Sequence, residues 1–140
     1  MEVKTTRRIL FFQVTNSQQK IDRLTEIARQ KFIEKTPLLI LAQDSYTAEF
    51  VDKILWEYPV HSLTPHEFTL NNSEETVCVS LPSHNPNKSK HIFNLTKTPI
   101  LEASFEIVYE FDDITTPEKA TISRQKYHVY KEAKFALASF

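Results

Sequence analysis

The sequence predicts an α/β fold of three layers, α/β/α, in which helices cover both faces of a mainly parallel sheet. Short runs of strand-forming apolar residues alternate with segments that carry the apolar stripe of a helix. These runs are apolar at successive positions, which is typical of parallel strands that are buried on both faces. A length of 140 residues with 41% hydrophobic residues suits a single domain spanning 1–140.

The first half of the chain alternates strands with helices. Its predicted elements are a strand at 9–14, a helix at 17–35, a second strand at 38–42 and a second helix that begins after Asp44. The first helix is indicated by apolar residues spaced three and four apart, and Asn16 or Ser17 can cap it. Asp44 is a good cap because its carboxylate accepts hydrogen bonds from free first-turn amides. This order of elements, with short connections, is typical of parallel β-α-β units.

The second half is predicted to supply three more strands and one helix. The segment 59–75 contains two prolines and a polar run, so it is predicted to be a loop. Thr115 or Thr116, just before a proline, can cap a helix that continues to about residue 134. The tail, 135–140, is apolar but short and is not assigned to an element. The remaining assignments are strands at 76–81, 91–95 and 105–111 and a polar connection at 82–90.

The chain contains no glycine, which removes several ligand-binding devices at once. A phosphate-binding P-loop needs glycine for close approach of its backbone, and the dinucleotide-binding fingerprint needs three. A glycine-based nucleophile elbow is excluded for the same reason. The predicted fold is therefore Rossmann-like but without a nucleotide-binding loop.

Charge and cysteine content indicate an intracellular protein without general affinity for nucleic acids or membranes. The net charge is −1 and the isoelectric point is about 6.5, so tight binding to nucleic acid is not expected. The one cysteine, Cys78, cannot form a disulfide within the chain and suits a reducing compartment. Because we find no signal peptide and no apolar segment of membrane-spanning length, we expect a cytoplasmic location.

No residue pattern points to catalysis or to metal binding. The histidines lie at no spacing typical of a zinc site, and we interpret His61 and His66, both in the predicted loop, as ordinary polar residues. Cys78 lies between two valines in a predicted strand, where a cysteine is usually a small buried hydrophobe. We therefore expect no catalytic residue, no metal and no cofactor.

The charge distribution is uneven near the C-terminus. Residues 101–116 carry five acidic side chains and no basic one, whereas residues 117–134 carry five basic and two acidic ones, a net charge of +3. Arg124, Tyr127 and Lys131 have helical spacing and so share one helix face. Such a face can hold a carboxylate or a phosphate and pack an apolar neighbour. The alternative is a solvated face with basic residues near the helix C-terminus, and the charges by themselves favour this alternative.

Trp56 ends the second predicted helix and leads into the proline-containing loop. A tryptophan in such a place is more often part of the core, although aromatic residues are also common anchors in protein interfaces. Taken alone, the position of Trp56 favours the core.

Several motifs, in order along nearly the whole chain, are similar to those of one protein family. The segment LWEYPVHSLTPHEF resembles the LW and F-x-PH signature of the chi subunit of bacterial DNA polymerase III, with Leu63 in place of the aromatic residue. The segments LLILAQDSYTAEFVDKILW, HIFNLT and SRQKYHVYKEAKFAL are similar to that family's capped helix, its INL strand and its C-terminal R-x-x-Y-x-x-Y helix. The family usually has a glycine before its second strand, where this chain has Lys35 and Thr36.

The resemblance implies a non-catalytic accessory subunit of the clamp loader. Chi subunits pair with a small psi subunit, and they grip the acidic C-terminal tail of single-stranded-DNA-binding protein. The residues that the resemblance implies for tail binding are Arg124, Tyr127, His128, Lys131 and Lys119, and those implied for the psi contact are Trp56, Leu63 and Pro65.

Two other readings remain open on the sequence. The first is an α/β enzyme or a phosphate-ligand-binding protein, although the absence of glycine and of a base–nucleophile pair argues against it. The second is direct nucleic-acid binding through the basic helix, although one short basic stripe offers few phosphate contacts. The adaptor reading requires that Arg124 be exposed and not covered by residues 135–140.

Overall fold

Residues 7–58 and 64–140, which a computed structural model of the chain describes, form one seven-stranded sheet with three helices. The strands are β1 (Arg8–Val14), β2 (Leu38–Leu41), β3 (Glu67–Phe68), β4 (Val77–Ser80), β5 (His91–Asn94), β6 (Ile107–Asp113) and β7 (Ala136–Ser139). The helices are α1 (Ser17–Glu34), α2 (Ser45–Glu57) and α3 (Pro117–Glu132). The strand order is β3-β4-β2-β5-β6-β1-β7, and every neighbouring pair is parallel. The predicted parallel α/β class is confirmed.

Each helix begins at a side-chain cap that the sequence predicts. Asn16, rather than Ser17, caps α1, and its Oδ1 accepts a hydrogen bond of 2.9 Å from the Gln19 amide. Asp44 caps α2 in the same way, and Thr116, rather than Thr115, caps α3. Because each helix directly follows a strand of a parallel sheet, all three helix N-termini lie at the carboxyl ends of the strands.

The end of α1 requires a backbone conformation that favours glycine. Lys35 has φ of 59° and ψ of 33°, which is the left-handed region, and its amide caps the last turn of the helix. A residue with a side chain adopts this conformation at a cost of about 1 kcal/mol relative to glycine. This chain thus places a lysine at a backbone position that favours glycine.

The helices lie on two sides of the sheet. Helices α1 and α2 pack on one face through residues such as Leu24, Ala28 and Leu55, against Ile40 and Phe93. The other face is covered by α3 and the segment before β6. Its buried residues are Ile9, Phe11, Leu39, Leu41, Ile92, Ile100, Phe105, Val108 and Tyr130. The three-layer arrangement is confirmed, and β2 and β4 are buried at every position, as their apolar sequences predict.

Two edge strands were not predicted from the sequence. β3 lies inside the segment predicted to be a loop, and it pairs with β4 through only two residues. β7 lies in the short apolar tail and pairs with β1 along the other edge of the sheet. Both strands are short, and their conformation depends on the neighbouring strand rather than on their own sequence.

Candidate interaction surfaces

Helix α3 divides its polar residues between an inner face and an outer face. On the inner face, Ser123, Lys126 and Tyr130 are buried against the sheet. The opposite side, which we call the outer face of α3, consists of Arg124, Tyr127, His128 and Lys131, all of which are exposed. The spacing of 3.6 residues per turn produces this division, because residues three and four apart fall on the same side.

The inner face is fixed by a buried carboxylate. Glu110 of β6 is fully buried and accepts hydrogen bonds from Lys126 Nζ at 2.9 Å, from Asn94 Nδ2 at 2.7 Å and from the Tyr130 hydroxyl at 2.5 Å. Burial raises the pKa of Glu110, while the Lys126 charge and the donors act in the opposite direction. The pKa of Tyr130 is raised by burial and by the adjacent Glu110 carboxylate. The network anchors α3 to the middle of the sheet.

This burial corrects the sequence-based description of the helix as a segment of charge +3. Lys126 contributes to that sum, but its side chain is only 8% exposed and is paired with Glu110. Its charge is therefore neutralised inside the protein and adds nothing to the outer face. The cationic charge of the outer face therefore comes from Arg124 and Lys131, and from His128 when this residue is protonated.

The outer face of α3 combines cations with an aromatic ring. Arg124 donates a 3.4 Å hydrogen bond to the Thr121 hydroxyl, and among the described residues it forms no ion pair. Tyr127 is 37% exposed, and its ring centroid lies 5.7 Å from that of Phe11 on β1. His128 meets Tyr127 edge-on at 6.3 Å. The structure thus brings four of the five predicted tail-binding residues onto one surface.

Lys119, the fifth predicted residue, lies apart from the other four. It is in the first turn of α3, on the side of the helix that faces a cleft shared with Lys20 and Asp113. The neighbouring Lys20 ammonium lowers the pKa of Lys119 through their contact and their like charge. Lys20 itself forms an ion pair of 2.5 Å with Asp113. Lys119 therefore belongs to a different part of the surface.

The C-terminal segment leaves the outer face open. Residues 136–139 form β7 at the edge of the sheet, and Phe140 packs on Phe12 with 5.5 Å between ring centroids. Phe135 packs edge-on against Tyr130, on the inner side of α3, at 5.7 Å. Arg124 remains exposed, as the adaptor reading requires.

A second candidate surface, the Trp56 surface, consists of Trp56 at the end of α2 and Pro65. Trp56 is 47% exposed, so the expectation that it belongs to the core is wrong. Pro65 is also exposed. Leu63, the third residue implied for the psi contact, lies outside the described residues, as does His61.

Sequence reasoning gave His66 no role in the Trp56 surface, but the structure places it directly beneath Trp56. The two ring centroids are 4.2 Å apart, with 40° between the ring planes. His66 is buried and hydrogen-bonded to Asp52 and to the Thr64 carbonyl. The available sequence signal was the PH motif itself, in which His66 directly follows the exposed Pro65.

A cleft of about 410 Å³ opens at the carboxyl ends of the strands, between α3 and the pair α1 and α2. This is the place where ligands of open α/β sheets usually bind. Two of its four lysines are paired with carboxylates, because Lys20 contacts Asp113 and Lys126 contacts Glu110. Its apolar walls come mainly from Ile21, Leu24, Phe50, Val51, Ile54, Leu95, Phe111 and Ile122.

The described residues contain no cluster of three or more potential metal ligands among histidine, cysteine, aspartate and glutamate. Cys78 is fully buried, as predicted, and burial raises the pKa of its thiol, which disfavours the reactive thiolate. None of the helices in the described ranges combines the length and apolar character needed to cross a membrane.

Comparison with known families agrees with the motifs. The family model described as DNA polymerase III chi subunit, HolC, matches residues 7–138. The chain belongs to the chi-subunit family. The match covers the whole described sheet except the last residue of β7, so it includes both α3 and the Trp56 surface. A comparison with curated proteins found no match.

Membership of the chi family assigns the chain an accessory role in DNA polymerase III. The resemblance inferred from ordered motifs is thereby confirmed at the level of the family. The structure places the residues of the R-x-x-Y-x-x-Y motif in two environments. Arg124 and Tyr127 face solvent, whereas Tyr130 is buried and holds the helix against the sheet.

Proposed function

We propose that the chain is a replication adaptor that links the clamp loader, through a psi subunit, to the acidic C-terminal tail of single-stranded-DNA-binding protein. The observation that carries the proposal is the outer face of α3, where Arg124 and Tyr127 lie one turn apart and are exposed. A guanidinium group can hold the terminal carboxylate of such a tail with two parallel hydrogen bonds. The Tyr127 ring can pack against an apolar side chain next to that carboxylate.

The surrounding charges support an acidic partner. His128 and Lys131 extend the outer face around the exposed Arg124, and the acidic residue that borders this group is Glu132, four residues after His128. The net charge of the whole chain is −1, so the attraction is local rather than general. Because these groups are exposed, salt screens them, and tail binding should weaken as ionic strength rises.

The first test measures binding of a fluorescently labelled tail peptide by anisotropy. We expect Arg124→Ala to lower the affinity at least about tenfold, because it removes charge-assisted hydrogen bonds to the carboxylate. Arg29→Ala is the matched control, since Arg29 is an exposed arginine on α1, on the opposite side of the sheet. A tail peptide that lacks its last residues should bind neither the wild type nor the two variants. Equal affinities for the wild type and Arg124→Ala would contradict the proposal.

For the psi subunit, the proposed contacts are Trp56, Leu63 and Pro65. A half-exposed tryptophan beside an exposed proline has the chemistry of an interface anchor, because it can bury a large apolar area. In calorimetric titrations with purified psi subunit, Trp56→Ala should weaken binding about thirtyfold, as expected for an anchor. Tyr46→Ala is the control, because Tyr46 is 82% exposed on the same helix but lies on another side. Equal losses in both variants would contradict the assignment.

The paired charges of the cleft favour the adaptor over a phosphate-binding protein or enzyme. Lys20 and Lys126, two of the four lysines that line the cleft, are already paired with carboxylates, so less cationic charge remains there to bind a phosphate. We expect no rise in melting temperature with inorganic phosphate or with nucleotides. A rise that grows with ligand concentration and is lost in Lys119→Gln would instead support the phosphate-binding alternative. Binding to single-stranded DNA should be weak and steeply salt-dependent.

A further inference from the structure

His66 is enclosed between α2 and the segment that leads into β3. Its side chain has no exposed surface, and its Nδ1 lies 2.7 Å from the Thr64 carbonyl oxygen. Its Nε2 lies 3.0 Å from the Asp52 carbonyl oxygen and 3.0 Å from Asp52 Oδ1. Each ring nitrogen therefore faces oxygen atoms, and each of these oxygens is an acceptor.

This arrangement matches the protonated ring. A neutral imidazole carries one N–H, so one of its nitrogens would face an acceptor oxygen with no proton between them. An imidazolium ion donates from both nitrogens and satisfies both sides. A charge buried in this way needs a partner, and the Asp52 carboxylate supplies it.

Trp56 covers the same ring. Asp52 and Trp56 are four residues apart on α2 and therefore lie on one side of the helix, where the carboxylate meets the edge of His66 and the indole meets its face. A centroid distance of 4.2 Å is within the range in which a cation is attracted to an indole. The indole keeps 47% of its surface exposed, so His66 forms the layer beneath the surface that a partner would touch.

We propose that protonated His66, paired with Asp52, is a positioning residue that holds Trp56 in the orientation needed for docking. This inference rests on the proposed function of the Trp56 surface. Asp52 is the charged side chain that α2 directs at the ring. Glu67, the first residue of β3, is exposed. The segment 64–65 contributes the Thr64 carbonyl oxygen. Loss of the proton removes one hydrogen bond and the cation–indole attraction, and so releases the indole.

The chain itself provides the probe, because Trp56 is its single tryptophan. A protonated histidine in contact with an indole quenches its fluorescence. Titrated between about pH 5 and pH 8, where histidines change charge, the full chain should show emission that rises with pH in one transition. His66→Gln should abolish this transition. Asp52→Asn should move its midpoint to lower pH, because the carboxylate that stabilises the proton is gone.

The control is His84→Gln, which alters an exposed histidine in the 82–90 connection and should leave the transition unchanged. Emission that does not vary with pH in the wild type, or the same transition in His66→Gln, would overturn the proposal. If circular dichroism shows that His66→Gln does not fold, the midpoint of the fluorescence transition in Asp52→Asn tests the proposal instead. This variant is suitable because Asp52 is partly exposed. An unmoved midpoint overturns the proposal.

Psi binding, measured at both ends of the pH range, separates the two proposals. The wild type should bind psi more weakly at the higher pH. A His66-dependent fluorescence transition without psi binding at any pH would reject the proposed partner and support the positioning of Trp56. Psi binding together with pH-independent fluorescence would support the partner and reject the positioning role.

Discussion

Tyr127 and Tyr130 lie three residues apart on α3, and their surroundings differ completely. Tyr130 is fully buried, and its hydroxyl accepts a hydrogen bond from the Ile100 amide at 2.9 Å and donates one to Glu110. Tyr127 is 37% exposed, and its ring meets those of Phe11 and His128. The same contrast separates Lys126, paired with Glu110, from the exposed Lys131.

The contrast between the two faces teaches that residue type does not decide the role of a side chain on this helix. A lysine or tyrosine that faces the sheet must have its polar atoms satisfied inside the protein, so its loss is felt in the free energy of unfolding. The same residue on the outer face leaves its polar atoms to water or to a partner, so its loss should be felt in binding.

The largest effect is expected from Lys126→Met, which leaves the Glu110 carboxylate buried without its cation. Removing one partner of a buried ion pair should lower the free energy of unfolding by about 3–5 kcal/mol. Lys131→Met, the matched change on the outer face, should alter it by less than about 0.5 kcal/mol. Urea denaturation measures both, and equal losses would mean that the two faces are not distinct.

The loss in Lys126→Met should also depend on pH. Burial raises the pKa of Glu110 in the folded protein, so the folded state binds more protons than the unfolded state above the ordinary glutamate pKa of about 4.3. Stability then falls as pH rises, and removal of Lys126 raises the pKa of Glu110 further. The destabilisation should therefore be smaller near pH 5 than near pH 7. If the difference in free energy of unfolding between the wild type and Lys126→Met is the same at both pH values, Glu110 does not cause the destabilisation.

Tyr130→Phe should have the next largest effect. It leaves the buried Ile100 amide without a partner and removes one of the two hydrogen bonds that Glu110 Oε2 accepts, at a cost of about 1–3 kcal/mol in the free energy of unfolding. Tyr127→Phe removes a hydroxyl from the exposed face and should leave stability within about 0.5 kcal/mol of the wild type. Thermal and urea denaturation of the two single variants check this pair. Similar values would place both rings in the same environment.

Salt should separate the outer face of α3 from the Trp56 surface. Tail binding rests partly on exposed charges, so raising the salt concentration to about 0.5 M, where screening is strong, should weaken it by about 1 kcal/mol. Psi binding at Trp56 rests on apolar burial and should change much less. Anisotropy and calorimetry at two salt concentrations measure the two affinities. An equal salt dependence would contradict the division between a charged and an apolar surface.

The smallest effect is expected from His128→Lys, which places a permanent charge beside Arg124 and Tyr127. The added cation should strengthen tail binding by about 0.5 kcal/mol at low salt, since an exposed charge pair contributes little. Glu118→Gln raises the net charge of the helix by the same amount, but Glu118 is exposed in the first turn of α3, away from the outer face, and it serves as the control. Tighter binding in the control alone would indicate general attraction rather than a local contact.

The interior of the fold could be predicted from the sequence because its strands and helices carry strong local patterns. The apolar run at 38–42 became β2, the predicted strand at 76–81 became β4, and Asp44 caps α2 at the expected residue. The edge strands β3 and β7 could not be predicted, because they are held by pairing with β4 and β1. Their own sequences contain too few residues to specify a strand.

The candidate sites were predictable to a smaller degree. Helical periodicity was enough to group Arg124, Tyr127 and Lys131, because it depends only on the geometry of the helix. It could not assign Lys126 to Glu110, or Lys119 to the neighbourhood of Lys20, since those contacts join residues far apart in the chain. His66 was interpreted as an ordinary polar residue because its partners on α2 are brought to it only by the fold.

The sequence alone determined the fold class, the cap of α2 and the family, since all three are contained in local patterns and in the order of motifs. Only the tertiary structure decided which lysines and tyrosines of α3 are available to a partner, and which aromatic residue of α2 stands above a buried histidine. The physical reason is that a periodic pattern defines the faces of a helix. Packing against the sheet then decides which face loses its water and must satisfy its polar groups from within the protein.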